Sequence, residues 1–133
     1  TQPNGRKQHT ATLIPDGKII FIGGVNNLDV AQLDIYDTIA DQWSQKSATI
    51  SGSVFSRWGH TATLTTNNRS IIMYGGQSYN SVPIGSIAIL DLTTYVWTNT
   101  TPSGDPDDMP IISPSFHTAA LYNDYVFFTF GKH

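Results

Sequence analysis

The sequence predicts an all-β fold built from repeated, four-stranded antiparallel sheets. The composition is the first observation: sixteen Thr, eight Asn and eleven Gly stand beside ten Asp and no Glu, and these abundant residue types are poor helix formers. The second observation is an internal repeat of about fifty residues. The third is that apolar runs reach only four residues, as at residues 19–22, far short of the ~18 that a membrane span needs. A helical bundle and a membrane-spanning helix are both excluded.

Length, charge and cysteine content limit the classes of function further. The 133 residues fit one ordinary domain of ~100–200 residues. A net charge of −3, with seven scattered basic residues, leaves no footprint for a nucleic-acid partner. Because the sequence contains no Cys, a disulfide framework, a Cys-based zinc site and a thiol nucleophile are excluded. The chain starts at Thr1 without a signal-peptide pattern, so we expect it to be a piece of a longer protein.

Each repeat opens with a segment that contains His-Thr-Ala. Residues 6–13 (RKQHTATL) recur as residues 57–64 (RWGHTATL) and, in weaker form, as residues 114–121 (PSFHTAAL). The His residues are 51 and then 57 residues apart. Fourteen or fifteen residues after each His, a Gly closes an apolar run. These closing positions are Gly23-Gly24, Gly75-Gly76 and Gly131, the last followed by Lys132 where the earlier copies have a second Gly. An Asp precedes a Trp by six residues in two copies: Asp37 and Trp43, then Asp91 and Trp97.

We expect four short strands in each repeat, named A to D in chain order. In the first repeat they are residues 9–14 (A), 18–22 (B), about 32–36 (C) and about 42–46 (D). Turn-forming residues separate A from B in all three copies. Strand B is apolar at consecutive positions, so both of its faces must be covered. Radial repetition of four-stranded blades, as in a β-propeller, covers them by packing each blade against the next.

The series of Arg-x-x-His, Gly-Gly, Asp and Trp resembles the kelch repeat, whose period is ~50 residues. The resemblance covers a first repeat at about residues 6–46, a second at about 57–101 and part of a third at about 114–130. It implies a kelch-type β-propeller fragment of about two and a half four-stranded antiparallel blades. Pro114 stands where the other two copies have Arg. Since propellers close with about 4–8 blades, the chain is expected to belong to one of roughly six or seven.

The polar residues that define the repeat are expected to be structural. His9, His60 and His117 recur at one position, which suggests either a metal triad or a side chain that bonds a neighbouring loop. We favour the hydrogen bond, because equivalent positions on neighbouring blades are too far apart for Zn–N distances of ~2.0–2.1 Å. Arg6 and Arg57 are expected to be buried or to bond between blades rather than to bind phosphate. No metal, cofactor or catalytic residue is predicted.

Large apolar side chains are expected to fill the space between blades. Trp43 and Trp97 each bury ~150–250 Å² in such a position. Trp43 is expected to lie between the two complete blades. Much of the stability is assigned to these Trp residues and to the apolar side chains of strand B: Ile20, Ile22, Ile72 and Tyr74.

The loops predict which surface binds a partner. In an up-and-down blade, the A–B and C–D turns lie on one face and the B–C and D–A loops on the other. Repeat 2 is six residues longer than repeat 1, and five of these additions fall in the B–C and D–A loops. Length variation on one face of a repeat array often marks its binding face. We predict a protein partner there; the alternative is that these are ordinary solvated loops. The candidate contacts are Asn26, Asn27, Phe55, Tyr79, Asn80, Asp105, Asp107 and Asp108.

Two classes of function follow. The kelch resemblance implies a non-catalytic protein-interaction module. The alternative is a portion of a galactose-oxidase-like copper oxidase, whose catalytic residues would lie outside this stretch, because its Cys–Tyr cofactor needs a Cys. Glycosylation sequons begin at Asn68 and Asn99. Together with the low charged content of 13%, they favour a glycoprotein at an extracellular or cell-surface location.

Overall fold

The computed structural model describes residues 2–25, 29–79, 87–101, 114–129 and 131. These residues form eleven strands and, within the same ranges, no helix. The strands are β1 (Thr10–Leu13), β2 (Lys18–Ile22), β3 (Gln32–Asp37), β4 (Gln42–Ser47), β5 (Thr49–Ile50), β6 (Thr61–Leu64), β7 (Ser70–Tyr74), β8 (Ile87–Asp91), β9 (Val96–Thr100), β10 (Thr118–Tyr122) and β11 (Tyr125–Thr129). The predicted all-β class is confirmed.

The strands form two sheets and a hairpin. Sheet 1 consists of β1 to β4 in chain order, and sheet 2 contains β6 to β9, also in chain order. Hairpin 3 consists of β10 and β11. Every pairing of consecutive strands within these units is antiparallel. The two sheets are therefore the predicted four-stranded antiparallel blades, and hairpin 3 supplies strands A and B of a third.

An aspartate fixes the turn between strands C and D. The Oδ1 of Asp37 accepts hydrogen bonds from the N–H groups two and three residues later, both at 2.9 Å. The Oδ1 of Asp91 does the same at 2.7 and 3.0 Å, and these bonds lower the pKa of that carboxyl. A short polar side chain that bonds its own backbone nucleates a turn. The constant Asp-to-Trp spacing of the sequence therefore reflects a turn of fixed length.

Strand β5 is a feature that the sequence did not predict. After sheet 1 ends, the chain crosses to sheet 2 and runs parallel to its outermost strand, β9. Thr49 N–H donates to Tyr95 O at 2.9 Å, and Ser51 N–H donates to Trp97 O at 2.8 Å. The crossing segment therefore ties the two sheets together and covers an edge that would otherwise expose unpaired backbone groups.

The core lies between the two sheets. Ile20 pairs with Ile35 in sheet 1, and Ile71 pairs with Leu90 in sheet 2, so each pair lies on one face of its sheet. The fully buried side chains are concentrated on these facing surfaces: Ile20, Ile22 and Leu33 from sheet 1, and Ile71, Met73, Leu90 and Trp97 from sheet 2. Burying a Leu- or Ile-sized side chain stabilises by ~1.5–3 kcal/mol, so this interface dominates the packing.

The expected position of Trp43 is wrong. Trp43 pairs with Tyr36 and packs on Phe21 at 5.2 Å between ring centroids. Lys46, three residues along the same strand and so on the opposite face, reaches the Tyr95 ring of sheet 2. Trp43 therefore points away from sheet 2. The indole between the sheets is that of Trp97, which has no exposed surface.

Two further expectations about strand B are corrected by the strand register. Ile72 and Tyr74 are only half-buried, whereas their neighbours Ile71 and Met73 are fully buried. Ile72 lines the pocket against hairpin 3, and Tyr74 packs on Phe128 of that hairpin at 4.4 Å between ring centroids. In hairpin 3, Thr118 pairs with Thr129 as Thr10 pairs with Ile22. Gly131 lies two residues after Thr129, as Gly24 lies two residues after Ile22. It therefore occupies the position of the second Gly of the earlier copies. Lys132 is not the substituted residue; in the sequence, Phe130 replaces the first Gly.

Candidate functional site

Two of the three repeated histidines, His60 and His117, bond the unit that precedes them. His60 Nε2 lies 3.0 Å from Thr10 Oγ1 of sheet 1, and His117 Nε2 lies 2.8 Å from Thr61 Oγ1 of sheet 2. Burial lowers the pKa of His60 to about 3 and also lowers the pKa of His117. Both imidazoles are therefore neutral at pH 7. Each His is placed at a junction between successive units.

Backbone hydrogen bonds run beside these side chains. Gln8, Gly59 and Phe116, which each precede a repeated His, have φ values of 58°, 66° and 55°. Gly59 N–H donates to Gln8 O at 3.0 Å, and Phe116 N–H donates to Gly59 O at 2.8 Å. Successive units are thus linked, carbonyl to amide, at equivalent points. Of these three residues, only Gly59 is of a type that indicates a left-handed backbone position from the sequence.

The first Gly of each pair makes room for the next unit. A Cβ at Gly23 would lie 2.5 Å from Arg57 O and 2.8 Å from His60 Cε1. A Cβ at Gly75 would lie 2.5 Å from His117 Cε1. Both glycines have positive φ, at 65° and 69°. Gly and His of consecutive repeats therefore form one packing unit, since no other residue leaves the imidazole this space.

The two repeated arginines both donate to the carbonyl of the first Gly of a pair, Arg6 to Gly23 O at 3.4 Å, but they differ in their second partner. Arg6 forms an ion pair with Asp34, which also accepts a 2.9 Å hydrogen bond from Gln45 Nε2. Arg57 has no exposed surface and donates to two carbonyls, Phe55 O at 3.0 Å and Gly75 O at 3.1 Å. Its Nη2 has no hydrogen-bond partner among the described residues, and burial lowers the pKa of Arg57 to about 10. At the position of Asp34, sheet 2 has Ala88.

The described part of the B–C and D–A face presents aromatic side chains. Tyr79 is 73% exposed and meets Trp58 edge-on, at 5.5 Å between ring centroids. Trp58 is held by a backbone bridge to Gln77. Phe55 is exposed, while its carbonyl accepts from Arg57. Phe116, also exposed, lies against Gly59. Sequence reasoning selected Phe55 and Tyr79 but missed Trp58 and Phe116, which stand inside the repeated motif and carry no loop signal.

Six of the candidate contacts lie outside the described residues: Asn26, Asn27, Asn80, Asp105, Asp107 and Asp108. The structure therefore shows Phe55 and Tyr79 of the eight. Of the sequons, Asn68 is exposed in the A–B turn of sheet 2, with a φ of 60°. Asn99 lies in β9, and its Oδ1 accepts a 3.0 Å hydrogen bond from Ser53 N–H.

The described ranges contain no group of three or more His, Asp, Glu or Cys side chains close enough to hold a metal ion. A pocket of about 250 Å³ opens between sheet 2 and hairpin 3, at the A–B turns. It is lined by Thr65, Thr66, Asn67, Ile72, Leu121, Asp124 and Val126.

No described helix is long and apolar enough to cross a membrane.

Sheets that repeat along the chain, each bonded to the next at equivalent points, are blades of a β-propeller. A family model described as "KLHDC2/KLHL20/DRC7 Kelch-repeats domain" matches residues 1–132. The chain belongs to the kelch-repeat family.

Two similar proteins are each longer than this chain. The chain is 32% identical over 110 residues to tRNA wybutosine-synthesizing protein 4 of Rattus norvegicus, and the alignment covers 72% of this chain and 16% of that protein. It is similar in structure to YjhT, with a TM-score of 0.68, 12% identity, and coverage of 92% of this chain and 43% of YjhT. At 12% identity the likeness concerns the fold alone. The chain thus spans less than half of each of these relatives.

Proposed function

We propose that this chain is a non-catalytic protein-interaction module that acts within a larger kelch propeller. The partner binds the face formed by the B–C and D–A loops. The observation that carries this proposal is the exposed Tyr79 ring, set edge-on against Trp58 on the face with the longer loops. Aromatic anchors of this kind dominate the binding energy of many protein interfaces.

The opposite face, formed by the A–B and C–D turns, offers fewer free side chains for contact with a partner protein. Its A–B turns are tight, and their polar side chains bond within the turn: Asp16 accepts from Lys18, and Asn67 from Arg69 N–H. A glycan at Asn68 would stand on that face and obstruct it. The acids at 105, 107 and 108 would favour a basic partner by steering its approach.

Paired surface variants of the longer protein test the binding face. Once a partner is isolated, its affinity is compared for Tyr79→Ala with Asn80→Ala and for Asp16→Ala with Asn67→Ala. Loss of a central aromatic anchor typically costs ~2 kcal/mol or more, about thirtyfold in Kd. Ile39→Ala, an exposed apolar residue of a C–D turn, is the matched single control for Tyr79→Ala. If the second pair abolished binding while the first left it intact, the face assignment would be wrong.

A second candidate function rests on the relative from Rattus norvegicus. The match to a tRNA wybutosine-synthesizing protein covers only 16% of that protein. This chain would then be the propeller portion of a longer protein that carries catalytic residues elsewhere. The longer sequence decides between the two candidates, because it would contain or lack a second, catalytic domain. Metal analysis of the same longer protein tests the copper-oxidase alternative.

A further inference from the structure

The pocket between sheet 2 and hairpin 3 combines aliphatic and polar side chains. Its volume of about 250 Å³ far exceeds the ~10–15 Å³ that one water molecule needs and approaches the ~300 Å³ at which sites for drug-sized ligands begin. The aliphatic lining residues are Ile72, Leu121 and Val126, and the polar ones are Thr65, Thr66, Asn67 and Asp124. A pocket of this size and composition suits a small organic ligand.

An aliphatic side chain fills the equivalent place between sheets 1 and 2. Ile14 N–H donates to Lys18 O and Thr65 N–H donates to Ser70 O, both at 2.9 Å, so Ile14 and Thr65 hold equivalent positions after strand A. Ile14 is 8% exposed and packs in the core between the two sheets. At the second junction the shorter, polar Thr65 stands in its place and lines the pocket.

A second exchange removes more aliphatic volume from the same place. Val126 pairs with Leu121 in hairpin 3 as Ile71 pairs with Leu64 in sheet 2. Val126 therefore stands where sheet 2 has Ile71, which is fully buried in the core between sheets 1 and 2. Together with the exchange of Ile for Thr, this loss of a methylene group leaves space at the second junction. The pocket is thus a property of the sequence at this junction rather than of the repeat.

The polar side chains of the pocket leave one group available to a ligand. Thr65 Oγ1 donates to Asn67 Oδ1 at 2.8 Å. Thr66 Oγ1 donates to Asn123 O and so links the A–B turn of sheet 2 to that of hairpin 3. The carboxylate of Asp124 has no hydrogen bond or ion pair with any other described residue. Among the described residues that line the pocket, Asp124 is also the only ionisable one.

We propose that this pocket binds a small primary alkylammonium ion, with its chain against the three aliphatic side chains and its ammonium group at Asp124. An ammonium group offers three N–H donors and a positive charge to the carboxylate. A chain of about four to six carbons covers the aliphatic lining and is removed from water there. A neutral ligand would leave the carboxylate without a partner, and an anion would be repelled by it. The site lies on the A–B face, so this inference is independent of the loops that bind the partner protein.

A free amine suits the pocket better than a lysine side chain of a macromolecule. The turn beside the pocket uses its polar groups internally: Arg69 N–H donates to Asn67 Oδ1 at 3.1 Å, and Asn68 N–H donates to Thr65 O at 2.8 Å. A macromolecule would therefore find few free groups around the ammonium site, and a small ion needs none.

Methyl NMR of the longer protein that contains this chain tests the site. On titration with n-pentylammonium chloride, the methyl signals of Ile72, Leu121 and Val126 should shift, while that of Ile14 at the filled junction should not. A ligand this small is expected to bind with a Kd in the millimolar range. The neutral isostere n-pentanol should bind about three- to fivefold more weakly at low salt, the most that an exposed charge pair typically adds. High salt should reduce this difference.

Three variants separate the two parts of the site. Asp124→Asn should abolish the preference for the cation and leave the Kd of pentanol unchanged. Asp16→Asn, in the A–B turn of sheet 1, is the matched control and should change neither Kd. The double variant Thr65→Ile with Val126→Ile restores the residue types of the first junction and should weaken both ligands about tenfold or more, because it fills the pocket. An unshifted Ile14 methyl signal shows that this variant is folded.

Three outcomes would overturn the proposal. Pocket methyl signals that stay unshifted by pentylammonium would mean that the longer protein has no open site here. Equal affinities for pentylammonium and pentanol, or a cation preference that survives Asp124→Asn, would mean that the carboxylate does not hold the ammonium group. Tighter binding of an acetylated and amidated peptide with a single lysine would mean that the natural ligand is a protein side chain rather than a free amine.

Discussion

The imidazole of His60 occupies the space that a side chain at Gly23 would need. A Cβ on Gly23 would come within 2.8 Å of His60 Cε1 and within 2.5 Å of Arg57 O. The glycine ends strand B of one blade, and the histidine opens strand A of the next. Two residues 37 positions apart in the sequence are therefore one structural feature. The kelch pattern of Gly-Gly followed by a distant His describes this packing between blades.

Gly23→Ala should destabilise the fold. A non-Gly residue held at positive φ costs about 1–3 kcal/mol, and the methyl group would also press on a backbone oxygen that cannot rotate away. Urea denaturation followed by circular dichroism measures the loss. Gly5→Ala is the control, because a Cβ at Gly5 meets nothing within 4 Å. Adding His60→Ala should recover only part of the loss, since the clash with Arg57 O stays. Equal midpoints for the two single variants would contradict the packing account.

Trp97→Ala should cost more stability than Trp43→Ala. Trp97 is fully buried and bonds Val30 O, and removing such a side chain typically costs ~3–5 kcal/mol. Trp43 is half-buried on the side of sheet 1 that points away from sheet 2, so its truncation should cost about 1–2 kcal/mol, in the ordinary range for a point substitution. Denaturation midpoints of the two variants measure the difference. A larger loss at Trp43 would restore the sequence-based expectation that it lies between the complete blades.

The element order of the fold was predictable from sequence, because the local signals agree. Asp37 and Asp91 nucleate C–D turns of equal length, and the short apolar runs between turn residues became strands at the expected positions. Strand β5 was not predictable. Its residues, Thr49 and Ile50, gain a partner only when sheet 2 is placed beside sheet 1, so its pairing is a tertiary property.

The sequence also could not predict which side chains of each strand face which neighbouring blade. Strand B is apolar at four consecutive positions, so alternation could not indicate which side chains face which blade. Ile20 faces the next blade, whereas Ile71, which matches Ile19 of the first repeat, faces the previous one. The assignment of Trp43 failed for the same reason. At the candidate site, loop length led to the choice of Tyr79 as a candidate contact, whereas Trp58 lies within the repeated motif and has no such signal. Its role depends on a contact across two loops that only the folded chain brings together.

Stability should fall as the pH is lowered below about 6.5. Burial lowers the pKa of His60 to about 3 in the folded chain, while the unfolded chain titrates near ~6.5. Between these values the unfolded state binds more protons, so acid favours unfolding. His60 alone contributes up to ~1.4 kcal/mol per pH unit. Urea midpoints at pH 7.5 and 5.0 measure the loss, and His60→Gln should make it smaller. An unchanged difference between the two pH values in His60→Gln would show that this imidazole is not the group responsible.

Asp34→Asn should be far more costly than Asp16→Asn, although each carboxylate pairs with a basic side chain. The side chains of Arg6 and Asp34 are only 6% and 3% exposed, whereas those of Lys18 and Asp16 are 39% and 51% exposed. Removing one partner of a buried pair leaves an uncompensated charge and typically costs ~3–5 kcal/mol. An exposed pair contributes about 0–1 kcal/mol.

The double variant Arg6→Met with Asp34→Leu separates the strength of the buried pair from the cost of leaving Arg6 unpaired. It should regain most of the stability lost in Asp34→Asn, because an apolar replacement of both partners leaves no buried charge. Urea denaturation at pH 7 measures all three variants. Sheet 2 shows the alternative arrangement, because it keeps Arg57 with two carbonyl partners and has Ala88 in place of the carboxylate. Equal midpoints for Asp34→Asn and Asp16→Asn would mean that the first blade also keeps its arginine on backbone carbonyls alone.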